Sequence, residues 1–267
     1  MEKYVMAKIE GKKRIVVKVG TSTLTHNTGK TNIARMAKLV SVLSDLKNEG
    51  HEIVLVSSGA VGIGAAKLGF SAKPKTTKGL QASAAVGQCE LMFLYDKLFS
   101  EYGVVVSQLL FTADTLTNKA EKEHLLDTFN QLLDYDALPI VNENDSVYVE
   151  ELLNGDNDCL SANVAKLIHA DLLILLTDTD GLYDDNPHKN KNARLISQVD
   201  EITDDIFKIA GDAGEKGTGG FVTKIKAAKI ATDAGIPVII MNGEKPTSIY
   251  KVLEDKSIGT YFSAKGE

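Results

Sequence analysis

The sequence predicts an α/β protein with a mainly parallel sheet covered by helices. Two observations support this prediction. Short β-branched runs alternate along the chain with amphipathic helical stretches. The runs are also almost continuous in Val, Ile and Leu, the composition of central strands that are buried on both faces. The predicted strands are residues 14–19, 53–57, 104–109, 138–141, 172–177 and 237–241.

Apolar residues three and four positions apart predict the helices between these strands. The longest covers about residues 79–101, and another begins near Ile33 and ends at Gly50, a typical C-terminal stop. Asp158, which suits an N-cap, precedes a third, and a fourth contains residues 222–231. Residues 147–153 predict a small hairpin or edge strand.

Length and composition exclude several classes of protein. The chain has 267 residues, 43% of them hydrophobic and 25% charged, which is typical of a globular protein. We expect one domain, with an N-lobe over about residues 1–170 and a C-lobe over about residues 171–267. The sequence shows neither an apolar run of membrane-spanning length nor the apolar core of a signal peptide, which predicts a cytoplasmic protein without membrane partners.

Charge and metal-binding residues exclude further functions. The net charge of −6 provides no basic field for nucleic acid. The two cysteines, Cys89 and Cys159, have no second cysteine nearby, and the five histidines lack metal-ligand spacing. We therefore expect reduced thiols and no metal held by protein ligands.

Two candidate sites follow the first two strands. Lys18 lies near the end of the first strand, where a lysine can hold a phosphate, although a lysine whose ammonium reaches solvent would explain it equally well. Ser58 and Gly59 lead from the second strand into a helix, where free backbone N–H groups can bind an anion. A tight turn is the alternative there. The sequence from Gly62 only half-matches the dinucleotide motif G-x-G-x-x-G, so it does not favour an NAD site.

Carboxylates and amides follow the fourth strand and open the next helix. Residues 142–146 cannot belong to a core, so they face a pocket or solvent, and Asp145 suits a substrate ammonium. An Asx-rich loop is the alternative. Asn157 and Asp158 lie in a segment with more polar groups than a helix cap requires. A carboxylate there can orient lysines around a phosphoryl group, and an amide can bind a substrate head group.

The last two candidates follow the fifth strand and precede the last predicted helix. Thr177 and Asp178 suit a ribose or a metal-bound phosphate, and an acidic turn is the alternative. The glycine-rich residues 211–220 enter a helix that carries Lys224, which would make a phosphate cradle with a cation. This segment is not a P-loop, and an interdomain linker is the alternative.

Taken in order, these motifs resemble those of the amino acid kinase family. They are K-V-G-T-S, S-S-G-A-V, A-A-V-G-Q, N-E-N-D, G-D-N-D, T-D…G-L-Y and G-T-G-G…T-K, from Lys18 to about Ser263. Each motif is weak alone, but their order is specific. The resemblance implies a three-layer αβα sandwich in which the N-lobe binds an amino acid and the C-lobe binds ATP.

The resemblance also implies an activity and its residues. The activity is ATP-dependent phosphorylation of the glutamate γ-carboxylate to γ-glutamyl phosphate, the first step of proline biosynthesis. Lys18 and Lys224 would stabilise the transferring phosphoryl group with the N–H groups of Gly20 and Gly59, while Asp158 would hold the lysines. Glutamate would contact Ser58, Asp145 and Asn157. The ATP contacts would be Lys18, Thr177, Asp178, Thr218, Gly219, Gly220, Phe221, Val222, Thr223 and Lys224.

Further expectations come from the same resemblance. Mg²⁺ would be held chiefly by the phosphates of ATP, proline would inhibit, and the product would be channelled to glutamate-5-semialdehyde dehydrogenase. We expect a homo-oligomer, a dimer or tetramer, with an isologous dimer through the helix over residues 79–101. Some family members append a PUA domain, and here we expect a kinase core without one.

Three alternatives remain open. Acetylglutamate, aspartate and carbamate kinases share the phosphate machinery, although Asp145 and Asn157 favour a substrate with a free α-ammonium. A nucleotide-binding regulatory module without turnover would have little need of both lysines and Asp158. A dinucleotide-dependent oxidoreductase would require a fingerprint that the sequence does not provide.

Overall fold

The structure is a computed structural model that describes residues 11–26, 29–147, 157–187, 189–212, 220–254 and 257–266. These residues form eight strands and ten helices. The strands are β1 (Arg14–Val19), β2 (Glu52–Ser57), β3 (Val106–Phe111), β4 (Leu138–Glu143), β5 (Leu172–Thr177), β6 (Gln198–Val199), β7 (Val238–Asn242) and β8 (Thr260–Phe262). The helices are α1 (Thr21–Leu24), α2 (Ile33–Asn48), α3 (Ala60–Lys67), α4 (Thr77–Ser100), α5 (Ala113–Thr117), α6 (Lys119–Asp134), α7 (Asn157–Leu167), α8 (Asp204–Asp212), α9 (Phe221–Thr232) and α10 (Ser248–Leu253).

All eight strands belong to one sheet, in the order β3-β4-β2-β1-β5-β7-β8-β6. The six strands from β3 to β7 in that order pair in parallel, whereas β8 pairs antiparallel to β7 and parallel to β6. The prediction of an αβα sandwich with a mainly parallel sheet is therefore confirmed. Because parallel strands end at the same edge of a sheet, the segments after β1, β2, β4 and β5 meet there.

The sheet separates two apolar cores. One packs α2, α4 and α10 against the sheet, with Tyr95, Phe99 and Ile249 among its buried residues. The other packs α7 and α9 against the opposite face. Strand β1 contributes to both, because alternate residues point to opposite faces, and Val16 belongs to the second core. Lys18, two residues further on, accordingly points to the face that carries α7 and α9.

The structure moves the start of one predicted strand, adds two strands and moves the start of one predicted helix. Strand β3 begins at Val106 rather than at residue 104, because the Val104 N–H donates to the Phe99 carbonyl and ends α4. Strands β6 and β8 were not predicted, since two and three residues carry no apolar run. Asp158 is not an N-cap but lies in the first turn of α7, which begins at Asn157.

Other predictions are not tested. The hairpin over residues 147–153 lies, beyond Val147, outside the described residues. The boundary between lobes near residue 170 stays a prediction, as does the cytoplasmic location. Within the described part of the chain, the helices are too short or too polar to cross a bilayer.

Helices α3 and α4 cross with their backbones in contact. A Cβ built on Gly64 would lie 1.8 Å from the Ser83 carbonyl oxygen, and one on Gly87 would lie 1.8 Å from the Ala60 carbonyl oxygen. Only hydrogen atoms fit at these positions. The position of α4 is therefore fixed relative to the turn after β2.

We expect Gly64→Ala to lower the free energy of unfolding by about 1–3 kcal/mol, because the methyl group forces two packed backbones apart. Urea denaturation measures this change. Gly62→Ala on the same helix is the control, since a Cβ there would meet only side-chain carbons at 3.7 Å or more. Equal stability of the two variants would contradict the close crossing.

Candidate active site

A buried carboxylate binds two lysines that come from distant parts of the chain. Asp158 on α7 is fully buried, and its Oδ1 forms a short ion pair with Nζ of Lys18 at the end of β1. Its Oδ2 accepts a hydrogen bond of 3.0 Å from Nζ of Lys224, near the start of α9. Lys18 is only 4% exposed, and the Lys224 side chain only 12%. Two cations around one anion leave a net positive charge where β1 ends.

The start of α9 is attached to the same carboxylate. The Thr223 hydroxyl lies 3.1 Å from Asp158 Oδ2 and 2.8 Å from the Gly220 carbonyl oxygen. Gly220 is the N-cap of α9, so Phe221, Val222 and Thr223 form the first turn. The Thr223 N–H donates to the Gly220 carbonyl at 3.1 Å, which leaves the Phe221 and Val222 N–H groups without an acceptor inside the helix, as is usual at a helix start. Thr218 and Gly219, predicted to contact ATP, lie outside the described residues.

The two predicted glycines lie in adjoining turns. A Cβ on Gly20 would lie 3.8 Å from Lys18 Nζ, so the Gly20 backbone borders the ammonium. Gly59 is the N-cap of α3 and has a φ of +106°, a conformation that favours glycine. The Ser58 N–H donates to the Val19 carbonyl at 3.1 Å and joins the turn after β2 to the end of β1. Both predicted anion-binding turns are therefore neighbours.

The residues predicted to bind the acceptor lie beside these turns. Asn157 is 6% exposed, and its Nδ2 donates to the Ser57 carbonyl at 2.9 Å and to Asn142 Oδ1 at 2.6 Å. Ser58 is half-buried at the end of β2, and Asp145 is half-buried in the turn after β4. The structure thus places Asn157 directly against the segment that carries Ser58.

Two polar residues of this cluster were not among the predicted site residues. Asn142 at the end of β4 donates from Nδ2 to Oε1 of Gln88 on α4 at 2.8 Å. Asn142 is 2% exposed, too buried for a loop residue that merely faces solvent. Both lie in motifs that resemble the amino acid kinase family, N-E-N-D and A-A-V-G-Q, which is the signal that could have found them.

A buried tyrosine on α4 forms a hydrogen bond with the end of β2. The Tyr95 hydroxyl on α4 lies 2.9 Å from Ser57 Oγ. Burial raises the pKa of the Tyr95 phenol, so it remains a neutral hydrogen-bonding group. This contact connects α4 to the strand that leads to Ser58.

The predicted ATP contacts Thr177 and Asp178 lie at the end of β5 and directly after it. Thr177 is buried, its hydroxyl donates to Asp178 Oδ1 at 3.1 Å, and Asp178 is exposed. Asp178 also lines a cavity of about 580 Å³ on the α2 side of the sheet, where Arg35 and Glu244 form an ion pair of 2.5 Å.

A larger cavity, of about 850 Å³, lies at the far end of α9 beside β6 and β8. None of the predicted site residues that the structure describes lines it. This cavity therefore lies apart from the buried charges around Asp158.

The fold is shared with kinases of other substrates. A UMP kinase from Ureaplasma parvum aligns over 95% of this chain and 100% of its own, with a TM-score of 0.67 and 15% identity. A carbamate kinase from Giardia lamblia bound to AMP-PNP aligns over 94% of this chain and 98% of its own, with a TM-score of 0.64 and 17% identity. The molecule is thus a three-layer α/β protein of the kind found in these kinases.

Sequence comparison identifies the family to which the chain belongs. A model of the amino acid kinase family matches residues 13–242, and the chain belongs to this family of kinases. It is 50% identical over 262 residues to a glutamate 5-kinase of Clostridium perfringens (strain 13 / Type A), across 96% of this chain and 97% of that protein. It is 48% identical over 264 residues to a glutamate 5-kinase of Listeria monocytogenes serotype 4b (strain CLIP80459), across 97% and 96%.

Proposed function

We propose that this kinase transfers the γ-phosphoryl group of ATP to the γ-carboxylate of glutamate and forms γ-glutamyl phosphate. The observation that carries the proposal is the Asp158 carboxylate between Lys18 and Lys224. It supplies two fixed cations where an anionic acceptor must approach a polyanionic donor. The names of relatives about 50% identical to the chain support glutamate as the acceptor.

The chemistry suits these residues because a carboxylate is already a nucleophile. No general base has to remove a proton before attack. The obstacle is repulsion between the acceptor and the γ-phosphate, and positioned cations and N–H groups reduce it. Lys18, Lys224 and the N–H groups of Gly20 and Gly59 would serve this purpose, and Mg²⁺ would enter bound to ATP.

Recognition of a free amino acid would fall to the acceptor side. The Asp145 carboxylate and the Asn157 carbonyl oxygen can accept hydrogen bonds from an α-ammonium, and the Ser58 hydroxyl can contact a carboxylate. An N-acetylated substrate carries no ammonium and would gain less from these groups. This difference favours glutamate over acetylglutamate as the acceptor.

The proposal is tested by measuring ADP release from ATP and Mg²⁺ with glutamate, N-acetylglutamate, aspartate or carbamate. Hydroxylamine in the assay traps an acyl phosphate as the hydroxamate. We expect turnover and hydroxamate with glutamate. Turnover confined to another acceptor would refute the glutamate assignment, and ATP binding without turnover would support a regulatory module instead.

The proposed product indicates a partner enzyme. γ-Glutamyl phosphate is a labile acyl phosphate, so direct transfer to glutamate-5-semialdehyde dehydrogenase would protect it from water.

We propose that the enzyme acts in the cytoplasm and that proline inhibits it, because the proposed reaction is the first step of proline biosynthesis. Titration of the assay with proline measures that inhibition.

We also propose a homodimer through α4 and the adjacent end of β3. Phe93 on α4 is 59% exposed, Val105 is 67% exposed, and Tyr135, which precedes β4, is 74% exposed. We expect Phe93→Glu to shift the molar mass in light scattering from dimer to monomer, because a charge would be buried in the interface. Phe70→Glu, at another exposed aromatic residue, should leave the mass unchanged. A monomeric wild type would refute the dimer.

A further inference from the structure

Three carboxamides form a hydrogen-bonded row beside the acceptor site, and the backbone fixes the direction of the row. They belong to Gln88 on α4, Asn142 on β4 and Asn157 on α7. A backbone N–H only donates, and that of Glu143 donates to Asn142 Oδ1 at 2.9 Å. The oxygen of Asn142 must therefore face Asn157, and its nitrogen must face Gln88.

The Asn157 end of the row is fixed in the same way. A backbone carbonyl only accepts, and that of Ser57 accepts from Asn157 Nδ2 at 2.9 Å. The same nitrogen donates its other hydrogen to Asn142 Oδ1 at 2.6 Å. Both hydrogens of Asn157 Nδ2 are thus engaged, and the row presents Asn157 Oδ1 as its acceptor end.

The Gln88 end is a donor. Because Asn142 Nδ2 donates to Gln88 Oε1 at 2.8 Å, Gln88 Nε2 is the group left at this end. This nitrogen is buried and has no hydrogen-bond partner among the residues that the structure describes. A buried donor without an acceptor is costly, so the site favours a ligand that supplies one.

Packing holds Gln88 at this place. Its neighbour Gly87 contacts the Ala60 carbonyl so closely that a Cβ would lie 1.8 Å from it. Ala60 follows directly on Ser58 and Gly59, the turn proposed to contact the acceptor. Gln88 therefore belongs to a rigid helix crossing beside that turn and not to a surface loop.

We propose that Gln88 Nε2 donates a hydrogen bond to the α-carboxylate of the amino acid substrate. The acceptor end of the same row, Asn157 Oδ1, then faces the α-ammonium. The row would present a donor to the anionic group and an acceptor to the cationic group of a zwitterion. This inference rests on the proposed function and deepens it, because it assigns a specificity residue for the free amino acid.

Two substitutions at Gln88 separate this role from a structural one. Gln88→Glu keeps an oxygen that can accept from Asn142 but replaces the donor by a second anionic oxygen. Gln88→Met has a similar volume and removes both groups. If Gln88 only supported Asn142, Gln88→Glu would weaken substrate binding less than Gln88→Met. If Nε2 contacts a carboxylate of the substrate, Gln88→Glu would weaken binding more than Gln88→Met.

The test uses glutamate with two simpler competitors. Glutarate retains both carboxylates but lacks the ammonium, and 4-aminobutanoate retains the ammonium but lacks the α-carboxylate. We expect Gln88→Glu to raise the KM for glutamate and the inhibition constant of glutarate by about 10- to 100-fold, the loss of a charge-assisted hydrogen bond. The inhibition constant of 4-aminobutanoate and the KM for ATP should change less than about twofold.

The outcomes are distinct. Equal weakening of all three compounds, or a milder effect of Gln88→Glu than of Gln88→Met, would overturn the inference while leaving the glutamate kinase intact. Wild-type protein that does not phosphorylate glutamate would instead refute the proposed function. Gln81→Glu, on the same helix, is the matched control and should match the wild type. If Gln88→Glu does not fold, the same comparison of competitors with Gln88→Met decides.

Discussion

Lys224→Ala is expected to lower kcat by about 10²–10³-fold, the usual loss when one positioned charge-stabilising donor is removed. The Lys224 ammonium is held by Asp158 at 3.0 Å, so it is in place before ATP binds. Its removal would leave developing charge on the transferred phosphoryl group without one of its two fixed cations. The protein should still fold, because Lys18 remains beside the Asp158 carboxylate.

Steady-state ADP release at saturating ATP and glutamate measures this effect. Lys226→Ala is the matched control, since Lys226 lies two residues further along α9 and is exposed. That variant should keep wild-type kcat and the same circular dichroism spectrum. Near-normal turnover of purified, folded Lys224→Ala would remove Lys224 from the proposed mechanism.

Asp158→Ala is expected to cost both stability and activity. It removes the carboxylate from beside the buried Lys18 ammonium, and breaking a buried ion pair from one side typically costs about 3–5 kcal/mol. Thr223 and Lys224 lose their hydrogen-bond acceptor in the same step. The expected result is a lower urea midpoint together with a kcat close to background.

A double substitution separates the two effects. Lys18→Met combined with Asp158→Leu replaces the pair by apolar groups and should recover part of the lost stability without recovering activity. Asp127→Asn, at an exposed position of α6, is the control for loss of an aspartate and should alter neither quantity. If Asp158→Ala were as stable as the wild type, the carboxylate would not be holding the lysines.

The sequence predicted the strands that are long and apolar. Strands β1 and β5 have the predicted ends, because each contains a continuous run of buried aliphatic residues, residues 15–17 in β1 and 172–176 in β5. Strands β6 and β8 escaped prediction, since their pairing depends on the partner strand rather than on their own composition. The start of β3 depended on a hydrogen bond that ends α4, which spacing alone does not reveal.

The candidate site was predictable to a smaller extent. Lys18 and Ser58 could be predicted from their positions at the ends of strands. Lys18, Asp158 and Lys224 are far apart in the sequence, and no physical feature of the sequence places them together. The family resemblance supplied that grouping. Gln88 escaped because a residue between apolar positions of a long helix is usually assigned to packing, and its hydrogen-bond partner is visible only in the folded chain.

The backbone contact between Gly64 and Ser83 bears on how this protein could be altered. Loops tolerate insertions, whereas two helices whose backbones touch without intervening side chains have to move together. An exchange of Gln88 would change the acceptor site on an unchanged backbone, while an insertion in α3 or α4 would displace Gln88 and the turn at Gly59 at once. For directed evolution of acceptor preference, point substitutions on α4 are therefore a better library than insertions in α3 or α4.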